Sequence, residues 1–89
     1  MPTISRFFGI LIQMYLDDHP PPHCHAIYGE FDAQIAIDTL EVVRGSLPRR
    51  VQVLVIEWAM AHRPELRENW RRAERHDSLL QIVPLDKEA

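Results

Sequence analysis

The chain has one cysteine, three glycines and no apolar run long enough to cross a bilayer. A single thiol cannot close an internal disulfide, so nothing argues for an oxidising compartment. The longest apolar stretch, residues 51–61, is interrupted by Gln52 and Glu57. It falls short of the roughly 20 apolar residues a spanning helix needs. The N-terminus shows neither the basic start nor the continuous apolar core of a secretory signal. Together these absences give the expectation of a cytoplasmic protein without a membrane role. A phosphate-binding glycine loop, a paired-cysteine zinc motif and a dinucleotide fingerprint are missing too, which disfavours ATP-driven and nicotinamide chemistry. There is no internal repeat and no low-complexity segment.

Hydrophobic residues make up 46% and charged residues 26% of 89 positions, a composition that folds rather than stays disordered. The length allows one domain, residues 1–89, with a single modest core. Charge is unevenly spread. Residues 1–43 carry Arg6 against six acids, a net of −5; residues 44–76 carry eight arginines against four acids, a net of +4; residues 77–89 add −2. Such a chain can offer a basic face to a polyanion or an acidic partner, although its net charge of −3 opposes strong nucleic-acid binding.

Local pattern predicts strands over residues 3–8, 10–16, 23–28, 31–37 and 40–43, the last ending at Gly45. Ile10, Ile12 and Met14 alternate with Leu11, Gln13 and Tyr15, and Phe31, Ala33, Ile35 and Ile37 alternate with polar or small neighbours. Gly9 is either a bulge or a tight link. A helix then opens at Ser46 or just after it, with Pro48 in its first turn. Its buried stripe is Val51, Leu54, Val55, Trp58 and His62. Pro64 ends or kinks it and suits the start of a second helix, edged by Leu66, Trp70 and Ala73. Residues 79–85 form a possible last edge strand. The expected fold is α+β: a β-rich half over 1–45 with a small antiparallel sheet of four to five strands, two helices over 46–77 packed on one face, and an edge strand and tail over 78–89.

The densest chemistry is Asp17-Asp18-His19-Pro20-Pro21-Pro22-His23-Cys24-His25, with three of the five histidines in nine residues. Imidazole ligates metals and moves protons near neutral pH, and three prolines stiffen its carrier. On an extended segment His23 and His25 share one face and Cys24 takes the other. With His19 as third ligand, or Asp17 or Asp18 in its place, this is the pattern of a divalent metal site, zinc for example, with an open position. A metal-free alternative makes His23 or His25 a general acid or base, with Asp18 orienting the ring and Tyr28 or an arginine contacting a phosphate. The plainer alternative is that the histidines cap the proline loop. Arg67, Arg71 and Arg75 fall in one stripe on the second helix and suit phosphate or carboxylate recognition. A solvated helix face is the preferred reading of the stripe, since Glu68 lies four residues before Arg72. His62 reads as a packing histidine and Cys24 as a small core residue.

A set of short motifs carries a resemblance: Met1-Pro2-Thr3-Ile4-Ser5, Gly9-Ile10, Met14-Tyr15, Asp18-His19 through His25, Tyr28-Gly29-Glu30, Ile37-Asp38, Leu47-Pro48, Glu57-Trp58-Ala59 and Asn69-Trp70. With these the chain resembles a widespread family of small bacterial proteins catalogued as domain of unknown function four-one-six-zero. The resemblance implies a co-encoded small protein as partner, in an arrangement like a toxin–antitoxin pair, and no established activity. The leading expectation is therefore a protein-interaction module acting with that partner, with homo-oligomer formation open. RNA or DNA contact through the arginine-rich helix is a further expectation. The alternatives are a histidine-dependent or metal-dependent ribonuclease or phosphodiesterase built on the 19–25 loop, and a metal-stabilised structural domain.

Overall fold

The computed structural model describes residues 2–16 and 18–85. Five strands, β1 (Thr3–Phe7), β2 (Ile10–Gln13), β3 (His23–Tyr28), β4 (Phe31–Ala36) and β5 (Val42–Ser46), precede two helices, α1 (Arg49–Ala61) and α2 (Arg63–Glu74). All neighbours are antiparallel and the spatial order equals the chain order, so the sheet is a plain meander. Two-residue links join β1 to β2 and β3 to β4. Phe8 and Gly9 both take positive φ, the requirement of the tightest hairpin turn, so Gly9 is a link and not a bulge.

Register sorts the sheet into two faces. Ile12, Ala26, Ala33 and Gly45 lie in one row and Cys24, Ile35 and Val42 in the next. This face is apolar and continues into the core, where Val51, Val55, Trp58 and Ala59 of α1 meet Leu66 and Trp70 of α2. The expected first-helix stripe is buried at Val51, Val55, Trp58 and His62, with Leu54 half-buried.

Several boundaries differ from expectation: β1, β2 and β4 stop at Phe7, Gln13 and Ala36, short of residues 8, 16 and 37. β5 begins at Val42, because Leu40 is held at φ +61° in the preceding turn and donates its N–H to Ala36 O. The strand runs through Gly45 to Ser46, and Gly45 at φ +77° lies so close to the Asp32 carbonyl that a Cβ would collide with it. Pro48 stands one residue before α1 as its extended cap, giving its carbonyl to Gln52 N–H. At the other end α2 stops at Glu74: His76 at φ +59° and the bonds His76 N–H to Ala73 O and Asp77 N–H to Arg72 O close a left-handed helix stop.

Residues 79–85 form no strand. Their backbone groups are taken by side chains from elsewhere: Asn69 pairs with both polar groups of Leu80, Ser5 Oγ donates to Ile82 O, and the Trp58 indole N–H donates to Val83 O. Only Ile82 N–H to Ile4 O resembles a ladder rung, and Pro84 has no N–H to give. The segment is a strap across the β1 edge rather than an open edge for a partner. Among the described residues, no helix is long and apolar enough to cross a membrane.

Candidate metal centre

The face of the sheet opposite the apolar rows carries His23 and His25, as the two-residue period requires. Cys24 points into the core, where burial pushes its thiol up to about 12 and leaves it neutral and unreactive. The prolines fix the approach to β3 through their carbonyls. Pro22 O accepts Ile37 N–H at 2.9 Å, and Pro21 O lies 2.7 Å from His23 Nδ1. A carbonyl can only accept, so Nδ1 of His23 donates to Pro21 O and Nε2 is the ring nitrogen left facing Asp18.

His23 Nε2 and His25 Nε2 both lie 3.0 Å from Asp18 Oδ2. His25 makes a well-aligned hydrogen bond there, whereas His23 Nε2, fully enclosed, is out of alignment and has no hydrogen-bond partner. Unpaired buried polar atoms are rare and costly. Asp18 Oδ1 turns the other way and accepts the His19 backbone N–H at 2.8 Å. Burial alone would push the Asp18 carboxyl up; the hydrogen bonds from His25 and the His19 N–H, with the nearby His23 and His25 rings, outweigh it and hold the carboxyl below its ordinary value.

One ligand atom each from Asp18, His23 and His25 lies within 4.8 Å of the other two. Ligands on one tetrahedral ion with bonds of about 2.0 Å sit roughly 3.3 Å apart, close to the 3.0 Å separations seen here. Two imidazoles and a carboxylate suit zinc, iron(II), manganese or cobalt, and they leave positions open. Walls complete the cup. Trp70 packs on His23 with ring centroids 5.3 Å apart, and Tyr15 stands edge-on to His25 at 4.4 Å.

The other sequence candidates fall elsewhere. His19 lies outside the group: its ring is 64% exposed and its Nδ1 sits 2.9 Å from Asp18 Oδ1. Asp17 is outside the described residues. Tyr28 is at the far end of β3, beside the Phe8-Gly9 turn. Arg67, Arg71 and Arg75 are each engaged by carboxylates, at Asp38, Glu68 and Asp77 respectively. Their stripe is thus a network of solvated ion pairs, in which Arg71 above all holds Glu68 below its ordinary range. His62 bonds Glu65 at 2.9 Å and packs on Trp58, as a core histidine does. Sequence reasoning missed Tyr15 and Gln13, whose OH and amide form a linked pair beside His25. Their alternation with Ile12 and Met14 was the available signal.

No curated protein and no solved structure matches the chain. Residues 9–71, more than half of the chain and a span containing the whole cluster, match the profile described as Domain of unknown function (DUF4160), and the chain belongs to that family.

Proposed function

We propose that the protein is a divalent-metal protein whose ion is held by Asp18 Oδ2, His23 Nε2 and His25 Nε2, with open positions for water and substrate. The observation that carries this reading is the enclosed, unpartnered Nε2 of His23, aimed at a carboxylate oxygen that already holds His25. A cation there gives His23 Nε2 and Asp18 Oδ2 one shared partner. The bound ion supplies a water of lowered pKa for hydrolysis. The chain's own part is to orient the His23 ring through Pro21 O, to keep Asp18 ionised, and to wall the cup with Trp70 and Tyr15. Protein purified without a histidine tag is expected to contain near-stoichiometric metal and to melt at a lower temperature after chelation. Metal-free protein that does not respond to added zinc, manganese or cobalt in melting or calorimetry rejects the reading.

A second reading, the interaction module with a co-encoded toxin–antitoxin-like partner, is favoured by a different surface. Val53 and Met60 of α1 are 55% and 64% exposed, and with half-buried Ile56 and buried Leu47 they line a cleft of about 570 Å³. Arg49, Gln52 and Glu57 rim the cleft, and exposed apolar groups rimmed by polar ones mark interaction sites. Co-expressed with its neighbouring gene product, the chain is expected to elute as a complex under mild salt, and Met60→Glu to release it. Separate elution of the wild-type pair ends this reading.

A further inference from the structure

The metal cup lies in the middle of a polar row that crosses the whole sheet. By register, Thr3 pairs with Gln13, Gln13 with His25, His25 with Gln34, and Gln34 with Arg44. Residues opposite one another on neighbouring strands share a face with their Cβ atoms in reach, so hydroxyl, amide, imidazole, amide and guanidinium stand in line. The two sides of His25 differ. On the β2 side Gln13 is occupied, donating to Thr3 Oγ1 and accepting from Tyr15 OH. On the β4 side, among the described residues, neither the Gln34 amide nor the Arg44 guanidinium has a partner.

This sets Arg44 apart from the arginines of α2. Arg63 donates to Ile37 O, Arg67 pairs with Asp38, Arg71 and Arg72 pair with Glu68, and Arg75 pairs with Asp77. Arg44 is exposed, with a half-buried amide and then the His25 imidazole next to it along the row. Two strand spacings separate its backbone from that of His25, roughly 10 Å. One guanidinium and one tetrahedral oxyanion together span that interval.

We propose that Gln34 and Arg44 form the anion-binding arm of this site, so that the ligand of the metal centre is a phosphoryl oxyanion. One of its oxygens takes an open metal position beside His25. A second accepts from the Gln34 amide, and a third accepts from Arg44, whose planar fork suits phosphate. The assignment rests on the metal reading above and names the class of compound that site receives. It also places the phosphate-binding cation on β5 and not on the α2 stripe.

The test uses the whole protein, cobalt(II) as the metal, and inorganic phosphate and dimethyl phosphate as probes. Calorimetry first measures cobalt binding to wild type, Arg44→Ala and Arg44→Lys, and then each anion binding to the cobalt-loaded proteins. All three are expected to bind cobalt equally and to melt alike without metal, because Arg44 is exposed. Arg44→Ala is expected to bind phosphate about 10- to 100-fold more weakly, and Arg44→Lys to recover part of the loss. Phosphate should perturb the visible cobalt spectrum in wild type at concentrations that leave Arg44→Ala unchanged. Tighter binding of inorganic phosphate assigns a terminal phosphate group, and tighter binding of dimethyl phosphate assigns a phosphodiester. Unchanged anion affinity in cobalt-loaded Arg44→Ala, or cobalt-loaded wild type that binds neither anion, overturns this inference alone. Wild type that binds no metal overturns both it and the reading on which it rests.

Discussion

His23→Ala is expected to lower affinity for zinc or cobalt by at least about 100-fold, because loss of a mere outer-shell partner already costs roughly 10- to 100-fold. In the wild-type protein, metal at 100 times its dissociation constant adds about 2.7 kcal/mol to stability, a rise of roughly 10–20 °C in melting temperature for a domain of this size. In His23→Ala that rise should vanish. The metal-free variants carry the sharper information. Removing the ring leaves a void against Trp70 and frees Pro21 O, which is unfavourable, yet it also removes an enclosed nitrogen that has no hydrogen-bond partner among the described residues, which is favourable. These oppose each other at roughly 1–3 kcal/mol each, so the metal-free His23→Ala protein should melt close to metal-free wild type. A structural histidine that merely caps the proline loop predicts instead a large loss without metal and no metal response at all. Asp18→Asn keeps the shape and removes the charge. It should abolish metal binding and also flatten the acid limb of stability. The folded-state carboxyl lies below its unfolded value of 3.8, so its stabilisation is complete above that pH and is lost as pH falls through the lower folded value. A melting temperature that falls just as steeply below pH 3.8 in Asp18→Asn would assign the acid sensitivity to other carboxylates.

Much of this site was written in local pattern, and the missing part was written in distance. A two-residue period is enough to put His23 and His25 on one face with Cys24 in the core, and the structure does so. The third member of the group is a different matter. Asp18 rather than His19 closes the group because the path of residues 18–22 is set by Pro21 O on His23 and Pro22 O on Ile37, contacts that no spacing rule encodes. Arg44 looked like one more member of a basic segment. Its place beside Gln34 depends on the register of β5, which shifts between Gln34 and Ile35 and which the left-handed Leu40 and Gly45 make possible. The α2 arginines were the more conspicuous signal, and Glu68, Asp38 and Asp77 occupy them. Residues 79–85 show the same limit from the side of the fold. Their β-like composition predicted a strand, but Trp58, Asn69 and Ser5 outcompete a ladder for their backbone, and none of these is a sequence neighbour.

Trp58→Ala is expected to cost about 3–5 kcal/mol, a large share of the roughly 5–15 kcal/mol that holds a small domain folded. Trp58 is fully buried, with its ring 5.4 Å from Phe7 of β1 and 5.6 Å from His62, and its N–H donates to Val83 O at 2.9 Å. Truncation therefore opens a cavity between α1 and the sheet and releases the strap over β1. Trp58→Phe separates these effects. It keeps most of the aromatic volume and loses only the donor, and because Val83 is 50% exposed its carbonyl can turn to water. That variant should lose about 0.5–1.5 kcal/mol in urea unfolding. Hydrogen exchange should quicken at the Leu80 and Ile82 amides and change little in β3 and β4. If Trp58→Phe costs as much as Trp58→Ala, the strap rather than the packing is what Trp58 secures. The candidate metal site serves as an internal control: its Trp70 wall belongs to the same buried cluster as Trp58, yet Trp58→Phe leaves both Trp70 and Tyr15 in place. Trp58→Phe should accordingly bind cobalt with wild-type affinity while being less stable, the reverse of the pattern expected for His23→Ala.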